Sequence, residues 1–257
     1  MIKKTLKSLC ILSLSYTSVS AIEIKSATHA VDIAGKQRMF TQRMLKDYAM
    51  AGMHNTFGKP DEDLKTIIVD FQDHMDSLVS FTQDKEIQTS LENVKKLWEP
   101  IKKILEVEPE KEKVAELQKQ LDALLKASND ATVLFAKASG KASGKIINIS
   151  GRQRMLSQRM ASLYMLKVWE IDDPEFKTKL TDAMTLFKES LGELEKSEMN
   201  NEEITLLLKK VKRSFMFFEM MSRSKSKFVP TLIYKKSNDM LVNMNSATQK
   251  YVALEAK

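Results

Sequence analysis

Residues 32–50 read DIAGKQRMFTQRMLKDYAM, and residues 148–166 read NISGRQRMLSQRMASLYML. Nine of the nineteen positions are identical at a constant offset of 116, and most of the others are conservative pairs such as Lys36 with Arg152 and Thr41 with Ser157. A repeat of this length decides the architecture before any single residue does, because each copy must build the same unit. The register continues more weakly downstream. Leu64, Phe71 and Leu78 fall opposite Leu180, Phe187 and Leu194, and Ser128-Asn129-Asp130 falls opposite Ser237-Asn238-Asp239 with the offset slipping to 109. Beyond the first 21 residues the chain reads as one unit of about 118 residues written twice.

Composition says what the unit is made of. Seven glycines and five prolines in 257 residues are too few turn-formers for a β-sandwich, a barrel or a doubly wound sheet. An apolar content of 43% supplies a real core and argues against disorder. Apolar periodicity predicts four helices in each copy, at 24–56, 61–83, 87–106 and 111–138, then at 142–170, 174–197, 202–226 and 230–255. The stretch NTFGKP at 55–60 breaks the first pair, and Asp172-Asp173-Pro174-Glu175 has the cap, proline and early acid of a helix start. Pro100 falls inside the third helix, where a kink is expected. Long amphipathic helices joined by short links imply an all-α fold of two tandem antiparallel four-helix bundles, with domains at 22–139 and 140–257. The stretch SGKASG at 139–144 reads either as a linker or as a weak spot in one continuous helix, and side-by-side and end-to-end arrangements both fit.

The first 21 residues stand apart. Lys3, Lys4 and Lys7 precede a short apolar run at 9–14, and Ser18-Val19-Ser20-Ala21 has the small-x-small pattern of signal-peptidase sites. The run is far short of the ~20 residues that span a bilayer, so a cleaved export signal and a periplasmic mature protein that does not span the membrane are expected. Cleavage removes Cys10, the only cysteine, and lowers the net charge from +7 to +4. Disulfides, thiolate chemistry and cysteine metal sites are thereby excluded from the mature chain.

On a helical wheel Ile33, Phe40, Met44, Tyr48 and Ala51 form an apolar stripe with Gln37 among them, expected to face the bundle core. Gly35, Arg38 and Gln42 lie on the opposite side, and the second copy repeats this with Gly151, Arg154 and Gln158. A mid-helix glycine costs about 1 kcal/mol relative to alanine, which calls for something close to the backbone. Residues 33–46 and 149–166 carry cations and no acid, and both copies use arginine at 38/154 and 43/159 in a chain richer in lysine. Arginine presents a planar fork suited to oxyanions. These features predict that the two first helices cross at their glycines, with Arg38 and Arg154 converging on one small anion. Ligand shared between the halves would then bias their relative position.

At this motif, Ala34-Gly35-Lys36-Gln37-Arg38-Met39 with Gln42-Arg43-Met44 and its copy Ser150-Gly151-Arg152-Gln153-Arg154-Met155 with Gln158-Arg159-Met160, the sequence resembles the N-terminal sensor domain of type IV pilus methyl-accepting chemotaxis transducers, the PilJ type. It is also similar to the P-box of the nitrate/nitrite sensor kinases NarX and NarQ. The resemblance implies an antiparallel four-helix bundle; separately, the residues lead us to expect neither enzyme activity nor a cofactor. The resemblance further implies nitrate or nitrite contacts from Gly35, Arg38, Gly151 and Arg154, with Gln42, Arg43, Gln158 and Arg159 as secondary ligand or interface residues. It implies as partners a small anion and a membrane chemoreceptor or sensor kinase. In those sensors each subunit supplies one half of the site, so here one chain would supply both. The chain lacks the transmembrane helices and signalling domain that such sensors carry.

Other chemistries find little support. His29, His54 and His74 share no ligand spacing, and Asp70 with His74 reads as a surface pair rather than a metal site. No phosphate loop or nucleophile motif is present. The methionines, including Met216, Met220 and Met221 among Phe215, Phe217 and Phe218, read as core filling, with a partner-helix contact as the alternative for that cluster. Nucleic acid is disfavoured by a modest charge without interleaved aromatics. The competing function is an adaptor bundle that binds a partner protein through the arginine-rich faces.

Overall fold

A computed structural model describes residues 22–140, 142–222 and 229–254. The export signal expected at 1–21 lies outside the described residues. Those that are described form eight α-helices and one short 3-10 turn, with no strand among them. The helices are α1 (Ala27–Gly52), α2 (Pro60–Phe81), α3 (Lys85–Leu105), α4 (Val114–Ala138), α5 (Ala142–Val168), α6 (Phe176–Glu195), α7 (Glu202–Ser222) and α8 (Pro230–Leu254). The fold is all-α, as the periodicity requires.

Local chemistry sets the ends. Ser26 caps α1 by accepting from the His29 amide, Asp84 caps α3 by accepting from the Glu86 and Ile87 amides, and Pro60 opens α2. The second-copy start is two residues later than its sequence suggests. Asp173 accepts from the Glu175 amide in a turn, and α6 begins at Phe176. Pro100 sits within α3, which continues to Leu105. Between α4 and α5 the chain breaks at Gly140, whose φ of +64° belongs to the left-handed region, so the two are separate helices.

Each half is an up-and-down bundle. Arg43 meets Asp63 while Gln37 reaches the Phe71 carbonyl, so α1 and α2 run in opposite senses. Tyr48 accepts from the Glu110 amide just before α4, while Arg38 reaches Asn129 within it, so α1 and α4 are antiparallel too. The second half repeats these contacts: Gln153 reaches the Phe187 carbonyl, and Tyr164 accepts from the Val229 amide. Phe71 packs on Trp98 in the first core, and Phe187 stacks on Phe215 in the second.

The halves lie side by side, joined along α1 and α5. Gly35 meets Gly151 and Lys46 meets Gln158, so the contacts advance in the same direction along both helices, which are parallel. Apolar residues of both halves form one continuous core. At the C-terminal end of α1 the halves interlock, since Gly52 lies under the Trp169 indole and Gly58 under the Tyr234 ring with no room for a Cβ at either. Met216 and Met220 face solvent on α7, contrary to the reading of that cluster as core, while Phe215 and Phe218 are buried.

Candidate functional site

The glycine crossing is the centre of the site. A Cβ at Gly35 would stand 3.8 Å from the Gly151 Cα, and one at Gly151 would stand 3.7 Å from the Gly35 Cα. A Cβ would thus just touch the opposite backbone, so the crossing has no room for a larger side chain on that line. Both arginines converge here: Nη2 of Arg38 and Nη2 of Arg154 each lie 3.3 Å from the position of a Cβ at Gly35, and 3.0 and 3.3 Å from that at Gly151. The outward stripe of the wheel is therefore an interior one. Arg38 and Arg154 are both 0% exposed, because the other half of the molecule covers the side of α1 and α5 that a lone bundle would leave in water.

Each guanidinium is held from two directions. Arg38 donates from Nη1 to Asn129 Oδ1 at 3.0 Å and from Nη2 to the Asn148 carbonyl at 3.1 Å. Arg154 donates from Nη1 to Asn245 Oδ1 at 3.0 Å and from Nη2 to the Asp32 carbonyl at 3.3 Å. These are the same contacts in the two copies, and Asn129 and Asn245 keep the offset of 116. The counterpart of Asn129 is thus Asn245, and the alignment with Asn238 at a slipped offset is corrected. Both Nε–H donors are buried with no acceptor, which is costly for a charged group.

One carboxylate enters the site. Asp32 Oδ1 stands 2.7 Å from Arg154 Nη2, and Lys36 is 3.6 Å from Asp32 Oδ2. Burial alone would raise the Asp32 carboxyl, but Arg154 and Lys36 outweigh it and hold the group below the usual carboxylate range. Arg38 has no such partner. Burial, with Arg152 and Arg154 nearby, pulls its guanidinium down to about 9, still charged at neutral pH.

The secondary residues lie one to two turns further along. Arg43 forms a bidentate pair with Asp63, and Arg159 donates to Asp122 Oδ1 at 2.7 Å and to Gln42 Oε1 at 3.4 Å. Gln158 Oε1 accepts from Lys46 Nζ at 2.9 Å. Gln42 and Gln158 therefore bridge the halves, and Arg43, Arg154 and Arg159 find acids on neighbouring helices. Sequence reasoning missed Lys46, which is fully buried beside Asp47, donates also to Asn238 and lies 4.3 Å over the Tyr234 ring. Burial pushes the Lys46 ammonium down and the Asp47 carboxyl up, each toward its neutral form. No cluster of three or more metal-ligating side chains occurs among the described residues.

A family model described as type IV pili methyl-accepting chemotaxis transducer N-term, PilJ, matches residues 22–129 and 135–213, well over half of the chain. The chain belongs to the PilJ family. No curated protein and no solved structure matches it. PilJ domains are sensory and signalling modules rather than catalysts, so the chain is a sensing domain of the chemotaxis-transducer type. Both matched segments contain a copy of the glycine–arginine motif. No helix among the described residues of this PilJ chain is long and apolar enough to cross a membrane.

Proposed function

We propose that this PilJ-family chain is an exported sensor that binds a small oxyanion, with nitrate or nitrite as first candidates, where α1 and α5 cross. Each half, 22–139 and 140–257, is one sensor unit, and together they form one site. The observation that carries the reading is the pair of fully buried guanidinium groups at a single glycine crossing with one carboxylate, Asp32, beside Arg154 alone. Two buried cations so close repel unless negative charge is supplied, and here the supply is half complete. A groove of about 340 Å³ between α1, α2 and α8 is lined in part by Asn245, whose side chain holds Arg154, and so comes within one side chain of the crossing. Bound anion would tighten α1 against α5, and a membrane chemoreceptor or sensor kinase would read the change in their packing.

Binding to the folded state alone raises stability. At a hundred times Kd the gain is about 2.7 kcal/mol, a rise in melting temperature of roughly 5–10 °C for a chain of this size. Nitrate or nitrite should produce such a rise in the purified mature protein, and Arg38→Ala should abolish it. If a panel of small anions leaves the melting curve unmoved, the sensor reading fails and the adaptor reading replaces it. That adaptor could not use Arg38 or Arg154 on its surface, since both are enclosed. Export is tested separately, by the N-terminal residue of protein recovered from the periplasm.

A further inference from the structure

The two copies differ at the site in one chemically decisive way. Position 32 is Asp, and its equivalent in the second copy, position 148, is Asn. Everything else about the arginines is matched: an asparagine side chain on the last helix of the same half, a carbonyl on the opposite first helix, and both glycines in contact. Arg154 has a carboxylate oxygen at 2.7 Å. Arg38, at the mirrored place, has the neutral Asn148, whose Oδ1 is buried with no hydrogen-bond partner. Among the fully enclosed groups at the crossing there are thus two cations and one anion.

Resting on the oxyanion reading above, we propose that Asp32 sets the charge of the ligand. It acts as a built-in anion on the Arg154 side, so the crossing takes one small monovalent anion on the Arg38 side and rejects divalent ones. The reason is charge balance in an enclosed site. A monoanion neutralises the one uncompensated guanidinium, whereas a dianion would leave a negative charge away from water, which is expensive. Lys36 and Arg152 also lie nearby, but both are partly exposed, so water can balance their charge and the count of enclosed charges stands. Asp32 is a specificity-determining residue, and Asn148 is the position that keeps the second half of the site open.

Isothermal titration of the full mature chain in low-salt buffer tests this, with sodium nitrate and sodium sulfate as probes. Wild type should bind nitrate and show no heat with sulfate. Asp32→Asn should gain sulfate binding by at least about tenfold, and Asn148→Asp should lose nitrate by at least about tenfold while keeping wild-type helicity by circular dichroism. Equal binding of sulfate and nitrate by wild type overturns the role of Asp32 and leaves the oxyanion reading standing. Undiminished nitrate binding by Asn148→Asp overturns it in the same way. Silence of wild type and both variants toward either salt overturns the two proposals together. Should Asp32→Asn fail to fold, Asn148→Asp decides alone, because it adds a carboxylate where Arg38 stands ready to pair with it.

Discussion

His74 shows how far a single residue can depart from its sequence context. Its spacing from Asp70 suits a surface pair, yet the ring is 5% exposed, packs 5.1 Å from Phe40, and buries an Nδ1 with no partner. Burial, aided by Lys36, drives its pKa down to about 3, although Asp32 opposes the shift. The folded protein therefore keeps this imidazole neutral while the unfolded chain takes up a proton below about 6.5. Between those limits the unfolded state binds more protons, so stability falls as pH falls, by at most about 1.4 kcal/mol per pH unit from this group. Urea midpoints measured from pH 7.5 to 4.5 should decline, and His74→Leu should be flatter over that range. Equal slopes in both proteins would contradict this account. The i,i+4 spacing places Asp70 and His74 on one helix face, but whether that face is covered depends on Leu241 and its neighbours on α8, lining the same groove from the other half. The same limit applied to Arg38 and Arg154: their convergence was legible from Gly35 and Gly151, whereas their full enclosure and the part played by Asp32 were not.

Helices α1 and α5 carry the crossing because each is packed on all sides, by its own bundle and by the other. That is unusual for helices bearing Arg, Lys and Gln along one stripe, and it works because every such side chain has a partner across a helix boundary. The glycines set the spacing. A Cβ at Gly151 would stand 3.0 Å from Arg38 Nη2, tight but relieved by a small shift of that side chain, and alanine brings about 1 kcal/mol of helix propensity in return. Gly151→Ala should accordingly lie within about 1 kcal/mol of wild type, while Gly151→Leu should lose about 1–3 kcal/mol or more from overpacking, both read from urea midpoints. If leucine proves as harmless as alanine, the crossing is not held by close approach. At this scale most of the fold is readable, because Pro60 and the apolar periodicity act locally. The start of α6 is not, since Asp173 caps a turn rather than the helix. The slipped register of the last helix also misled. An Asn-Asp pair looks alike at 129–130 and 238–239, and only the arginine contacts single out Asn245.

For the molecule as a whole, the repeat announced two units but could not say how they meet. Amphipathic periodicity reports the core of one bundle, and it reads any second buried stripe of polar residues as surface. In the structure the halves share one core and one charged crossing. Residues 22–140 and 142–257 produced as separate chains should therefore copurify as a one-to-one complex. Either alone should self-associate or precipitate, since it would expose an arginine stripe built for enclosure. Size-exclusion chromatography with light scattering settles this, and a first half that stays monomeric and as stable as the parent would refute it. The brief connection at Gly140 has a last consequence. Two separate subunits would have to find each other before a site existed, so occupancy would vary with their abundance, whereas copies tethered within one chain meet at millimolar effective concentration. Assembly of the crossing is thereby uncoupled from the abundance of the chain.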